Sequence, residues 1–222
     1  KLTGILRPSE GSTSASMNGK TIRLLVNGVD SGVTATTANN AASGGLDGEF
    51  SLSKPVTVVS TDILTLYVDD DATVDAVTVT RTDNSTLTGF ELIQDTLKVQ
   101  YENGTSLTSA NLNTANNGDT DITAIYADAA TLTTVAGKDL LINTGDTFAP
   151  GSAVVLGGDM HVLSTGTYNG STFAISVAGN LDNDGTWTHT GTITFNGGTT
   201  QTFNPGSATI GSDIATSGLL TT

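Results

Sequence analysis

Apolar and polar residues alternate along most of this chain. Ile22, Leu24 and Val26 alternate with Thr21, Arg23 and Leu25, and Leu64, Leu66 and Val68 with Thr65 and Tyr67. Val77 and Val79 alternate with Thr78 and Thr80, and Leu97, Val99 and Tyr101 with Lys98 and Gln100. Further on, Phe173, Ile175 and Val177 alternate with Ala174 and Ser176, and Ile193 and Phe195 with Thr192 and Thr194. A strand sends successive side chains to opposite faces, so each run predicts a half-buried strand. Thr suits the solvated face, because its branched side chain fits a pleat while its hydroxyl meets water. Helical spacing is nearly absent. The one helix candidate, residues 124–130 with four Ala, reads equally well as a strand. The pattern predicts an all-β protein.

Turn chemistry punctuates these strands. Asn-Gly pairs begin at Asn18, Asn27, Asn103, Asn169 and Asn196, and Asp-Gly pairs at Asp47 and Asp184. Such pairs tolerate positive φ and favour tight hairpin turns. Residues 39–48 are mostly small and predict a flexible loop. In the last third the rhythm changes. Apolar clusters around Leu140, Val154, Val162, Phe173, Leu181, Trp187, Ile193 and Phe203 recur at short intervals between Gly-containing turns. Regular short strands predict a sandwich, a barrel or a β-solenoid. Thr186, Thr188 and Thr190 would form one strand face and Trp187 and His189 the other, so that stacked coils would build Thr ladders. The expected organisation is a segment over 1–17, a β-sandwich over 18–101 and a connecting β region over 102–138. A Thr/Gly-rich β-solenoid or second β-sandwich would follow over 139–222.

Composition narrows the function classes. Asp and Glu outnumber Lys and Arg by 22 to 8, for a net charge of -14, and every positive side chain lies at or before Lys138. Nucleic-acid affinity rests on Lys and Arg neutralising phosphates, so no nucleic-acid partner is expected. Anionic membrane surfaces are disfavoured on the same ground. No apolar run approaches the ~20 residues of a membrane-spanning helix, so no membrane insertion is expected. Cys is absent, which excludes disulfides and thiolate metal sites. Charged residues are only 14% of the chain and mean hydropathy is near zero, which opposes disorder.

The stretches GKTIRLLVNGV, LDGEFSL, DILTLYVDDD and AVTVT resemble the transthyretin-like, or carboxypeptidase-regulatory-like, β-sandwich repeats of bacterial surface proteins. A long TATTANNAASGGLDGEF stands where that family has a short Thr-Asp-x-x-Gly turn. The stretches LKVQYENGTSLTSANLNTANNGDTDI and GNLDNDGTWTHTGTITFNGG resemble repeats of very large bacterial cell-surface, haemagglutinin-like proteins. The resemblance implies a structural or adhesive role.

The residues admit four kinds of chemistry. Asp69, Asp70 and Asp71, with Asp75 behind them, and Asp119 and Asp121 after Asn117 offer clustered carboxylates that suit Ca²⁺. Asp182 and Asp184 in DNDG read more simply as a turn. For catalysis, His161 and His189 are the only histidines, and neither a GxSxG nor an HExxH motif is present. An Asp182/Asp184 pair working on an acidic polysaccharide would want basic residues that this half lacks. The chain is therefore expected not to be an enzyme. A glycan-binding or adhesin module would use Trp187, with Tyr168 and Tyr126, to stack on sugars.

Self-association is the fourth and favoured reading. Leu2, Ile5 and Leu6 precede a Gly/Ser tract, and Ile210, Ile214, Leu219 and Leu220 lie in a similar context at the other end. A tethered apolar segment can add as a strand to a neighbour's open edge, and head-to-tail repetition makes a filament. The partner would be the chain itself, as a homopolymer. The start at Lys1 rather than Met fits a processed, exported product. The expectation is an extracellular or cell-surface structural filament, with an adhesin as the alternative and a phage fibre or capsid-decoration protein third.

Overall fold

A computed structural model describes residues 1–39, 45–52, 57–102, 104, 106–207, 210 and 213–221. Strand β1 (Leu2–Arg7) leads through a short 3-10 turn (Ala15–Met17) to β2 (Thr21–Val26) and β3 (Val29–Thr36). These two form the hairpin expected at Asn27–Gly28, where φ is 50° and 73°, the left-handed backbone that a two-residue turn of this hand requires. Then come β4 (Glu49–Leu52), β5 (Ile63–Asp69), β6 (Val77–Arg81) and β7 (Leu87–Ile93). β1 runs antiparallel to β4 and parallel to β7, while β3, β2, β5 and β6 pair antiparallel in that order. Leu6, Ile22, Leu66, Phe90 and Leu92 fill the space between the two sheets. This is the N-terminal β-sandwich.

β8 (Thr96–Val99) joins β6 in parallel and starts a different architecture. After it come two short helices, α1 (Ser109–Ala115) and α2 (Thr120–Thr123), and the antiparallel pair β9 (Tyr126–Asp128) and β10 (Leu132–Thr134). Three coils follow. The first holds β11 (Asp139–Ile142), β12 (Thr147–Phe148) and β13 (Val154–Leu156). The second holds β14 (Met160–Val162), β15 (Thr167–Ser171) and β16 (Ile175–Val177), and the third β17 (Leu181–Asn183), β18 (Thr186–His189) and β19 (Ile193–Phe195). A final winding carries β20 (Gln201–Asn204), β21 (Ile214–Thr216) and β22 (Leu220–Thr221).

Corresponding strands stack in parallel on three faces. The first face runs β6, β8, β11, β14, β17, β20 and β22, about seven turns from residue 77 onward. The second is β12, β15 and β18, and the third β10, β13, β16, β19 and β21. Leu140, Met160, Leu181 and Phe203 succeed one another on the first face, and Leu132, Val154, Ile175 and Ile193 on the third. All are buried and form one continuous core with Val77, Val79 and Leu97. The protein is all-β, a sandwich followed by a β-solenoid. The second-sandwich alternative falls, because every pairing beyond β10 is parallel.

The corners explain why Asp, Asn and Gly recur. Asp139 Oδ1 accepts the N–H of Asp159 at 2.7 Å, Asp159 Oδ1 that of Asn180 at 2.7 Å, and Asn180 Oδ1 that of Thr202 at 2.8 Å. Each coil thus caps a backbone donor of the next, a donor that the bend would otherwise leave unpaired. Beside this ladder the backbones approach too closely for a side chain. A Cβ at Gly157 would overlap the Val135 carbonyl and one at Gly179 the Asp159 side chain, and at the next corner one at Gly185 would overlap the Gly166 carbonyl.

Several expectations are corrected. Parallel stacking begins at β6 rather than at residue 139, since β6 belongs to the sandwich and to the solenoid at once. Helices occur at α1 and α2, while residues 126–128 form a strand. Thr108 and Asn111 build a capping box at the start of α1, and Leu112, Ala115 and Ile122 bury the apolar sides of both helices. They pack on β5, so that strand is buried on both faces. Asp184 and Asn196 sit at corners between parallel strands and Asn169 lies inside β15, so none closes a hairpin. Asn103 and residues 40–44 of the expected loop lie outside the described residues.

Candidate functional site

The two acidic runs converge at one place, between the end of β5 and the start of α2. Asp119 caps α2, its Oδ1 accepting the Asp121 N–H at 3.0 Å and its Oδ2 the Tyr67 hydroxyl at 3.1 Å. Asp121 Oδ2 accepts the Asp70 N–H at 2.7 Å. Burial raises the pKa of Asp121, and the charges of Asp119, Asp69 and Asp70 push the same way against that hydrogen bond. Asp69 pairs with Arg23 at 2.6 Å and Asp71 with Lys20 at 2.7 Å. Asp69, Asp71, Asp119 and Asp121 thus each satisfy a donor of the fold. They tie the sandwich to α2 and to its own strands.

A different group gathers ligand atoms. Among the described residues, His161, Asp182 and Asp184 offer one atom each within 4.8 Å of one another. His161 on β14 stands in register with Asp182 on β17, and both point outward because their neighbours Met160, Val162, Leu181 and Asn183 point in. Asp184 follows at the corner. His161 Nδ1 lies 3.0 Å from Glu10 Oε2 and Nε2 lies 3.4 Å from Asp184 Oδ2. Asn204, one coil further, donates to Asp182 Oδ1 at 2.6 Å. Grooves of about 420 Å³ flank His161 on both sides, one under Pro8, Ser9 and Glu10 and one along Asn180, Asp182 and Thr202. His161 does not meet His189. The latter is buried between Tyr168 and Trp187, where loss of water pushes its pKa down, against the raising influence of the Gly170, Thr192 and Gly191 backbone.

Trp187 is not offered to a sugar. It is 7% exposed, with its ring centroid 4.6 Å from that of Tyr168, in an internal stack that continues to Phe148. β18 does place Thr186 and Thr188 outside and Trp187 and His189 inside, as its alternation predicts. Tyr126 and Tyr168 are fully buried as well. A stacking platform needs an open ring face, and these rings have none.

The two ends of the chain differ. Leu2, Ile5 and Leu6 lie in β1, at the centre of a sandwich sheet, and are buried by β4, β7 and the facing sheet. At the other end Ile210 packs partly against the solenoid core. Ile214 stacks in register on fully buried Ile193, yet it is 44% exposed, and Leu219 is 66% exposed. Ile214 is a core-type position of a coil with no described coil beyond it, whereas Leu219 precedes Leu220, the residue in register with buried Gln201, and so lies on the outward side.

No family model, curated protein or solved structure matches this chain. Its own geometry is the guide. Among the described residues no helix is long and apolar enough to cross a membrane. Of the converging groups, Glu10 carried no local signal in the sequence. The pairing of His161 with Asp182 was encoded only in the coil length, through the recurrence of GGDMHV and AGNLDN.

Proposed function

We propose that this protein is a structural element of an extracellular fibre, lengthened by β-strand pairing on its last coil. The observation that carries this reading is the asymmetry of the solenoid. The sandwich covers one end, whereas among the described residues β21 and β22 are edge strands at the other, with Ile214 and Leu219 exposed there. An open solenoid end is an edge that proteins ordinarily cap or stack. Fully burying an exposed Ile or Leu side chain contributes ~1.5–3 kcal/mol, so a second copy seated there gains a part of this from each of Ile214 and Leu219, together with new backbone hydrogen bonds. β1 supports the same picture from the other side. A strand held between β4 and β7 and joined to β2 through the Gly/Ser-containing segment 8–20 is one that a neighbouring copy can exchange, which gives each subunit two unlike junctions and an open-ended polymer. The absence of Cys and the acidic, Thr-rich exterior suit an exported protein, with like charge keeping fibres apart.

Negative-stain microscopy and sedimentation of the purified chain test this. Elongated, concentration-dependent assemblies are expected, and the double variant Ile214→Lys/Leu219→Lys should return the protein to monomers without changing its circular dichroism. Monomers of the unaltered chain at high concentration would refute the proposal.

A further inference from the structure

We propose that His161, Asp182 and Asp184 form a binding site for a divalent transition cation of the Zn²⁺ class, oriented by Glu10, that clamps two solenoid coils to the sandwich. The first support is distance. A charged N–H···O hydrogen bond spans about 2.7–2.9 Å, and the 3.4 Å between His161 Nε2 and Asp184 Oδ2 is long for one. Two ligands on a tetrahedral Zn²⁺, each about 2.0–2.2 Å from the metal, lie about 3.3–3.5 Å apart. The observed spacing matches the separation of two ligands on one tetrahedral ion, and the Asp182 ligand atom lies within 4.8 Å of both.

The second support is the surrounding shell. A metal-binding His ordinarily donates its other ring N–H to a carboxylate, which fixes the tautomer and aims the free nitrogen. Glu10 Oε2, 3.0 Å from Nδ1, fills that position and directs the Nε2 lone pair at Asp184. Asn204 holds Asp182 by its Oδ1, leaving the other carboxylate oxygen for an ion. One neutral imidazole and two carboxylates balance a double positive charge, and the groove on either side leaves room for a water as fourth ligand. Ca²⁺ prefers six to eight oxygens and would gain little from the imidazole. Because His161 and Asp182 belong to successive coils and Glu10 follows β1, a bound ion joins three separate parts of the chain.

Titration of the full chain with Zn²⁺ alone, followed by calorimetry, tests the site, with Co²⁺ as a coloured probe. A single saturable Zn²⁺ and an intense tetrahedral Co²⁺ absorption band are expected. Asp184→Asn, at an exposed position, and His161→Ala should abolish both. Glu10→Gln should keep the band and weaken Zn²⁺ affinity by ~10–100-fold. Absence of saturable uptake would overturn the proposal. Uptake unchanged in Asp184→Asn and His161→Ala would overturn it too, since the ions would then sit on the acidic surface at large.

Discussion

At the scale of single residues, carboxylates here serve the backbone before they serve solvent. Asp139 shows the cost. Burial pushes its pKa up to about 6, although the Asp159 N–H holds the charged form, and burial likewise brings Asp128 and Asp146 to about 6. A folded-state pKa above the unfolded value means that the native state binds protons more readily within that window. Stability therefore falls as pH rises from about 4 through about 6. Asn180 performs the same capping two positions along the ladder with no charge at all. Asp139→Asn should then keep the hydrogen bond and raise the Tm near neutrality by a few degrees, with the gain vanishing by about pH 4. Thermal melts across pH measure this, and a gain independent of pH would contradict the burial argument. Asp71 works in the opposite direction. Burial opposes its ionisation, but hydrogen bonds from Lys20 and Thr73 hold its pKa down to about 2, so its contribution is lost only in stronger acid.

At the scale of elements, the aromatic stack across β12, β15 and β18 shows what each coil adds. Phe148, Tyr168 and Trp187 occupy equivalent inward positions, so each ring is floor to one coil and ceiling to the next. Trp187→Ala should cost ~3–5 kcal/mol. Trp187→Phe should cost much less, because it keeps the stack on Tyr168 and removes a buried indole N–H that has no hydrogen-bond partner. Denaturant unfolding of the two variants decides the point, and near-native stability of Trp187→Ala would place the ring at the surface after all. The same elements mark how far the sequence could be read. Alternation located β2, β5, β6, β8 and β19, and Asn27–Gly28 its hairpin, because local period and turn chemistry are local properties. Whether neighbouring strands run parallel is not local. The alternation of β8 is the same in either direction, so the start of the stack at β6 was hidden. The helix α1 was hidden as well, since SANLNTA has modest helix propensity and owes its form to the Thr108–Asn111 cap and to the β5 surface. The His161 group needed the offset between successive coils, which two outward positions cannot reveal by themselves.

At the scale of the molecule, the shared strand β6 makes the sandwich a foundation rather than a neighbour. Its Val77 and Val79 enter the solenoid core while its partner β5 faces the sandwich core with Leu64, Leu66 and Val68. A stack of this kind is stabilised mainly by contacts between adjacent coils, so local opening should be cheapest where a coil has a neighbour on one side only. Among the described residues the last winding has that position. β21 is exposed along its length and β22 spans two residues, whereas β11 lies between β8 and β14 with Leu140 and Ile142 fully buried. Hydrogen exchange should accordingly grade along the chain, fastest in β21 and β22, slower in β17 to β20, and slowest in β8, β11 and β14. Assembly supplies the decisive control. If copies stack on the last coil, protection of β21 should rise with protein concentration while that of β11 stays constant, and Ile214→Lys/Leu219→Lys should erase only the concentration-dependent part. Uniform protection from β8 to β22 would mean that the solenoid opens as one unit, and that its C-terminal edge is not the proposed site of assembly.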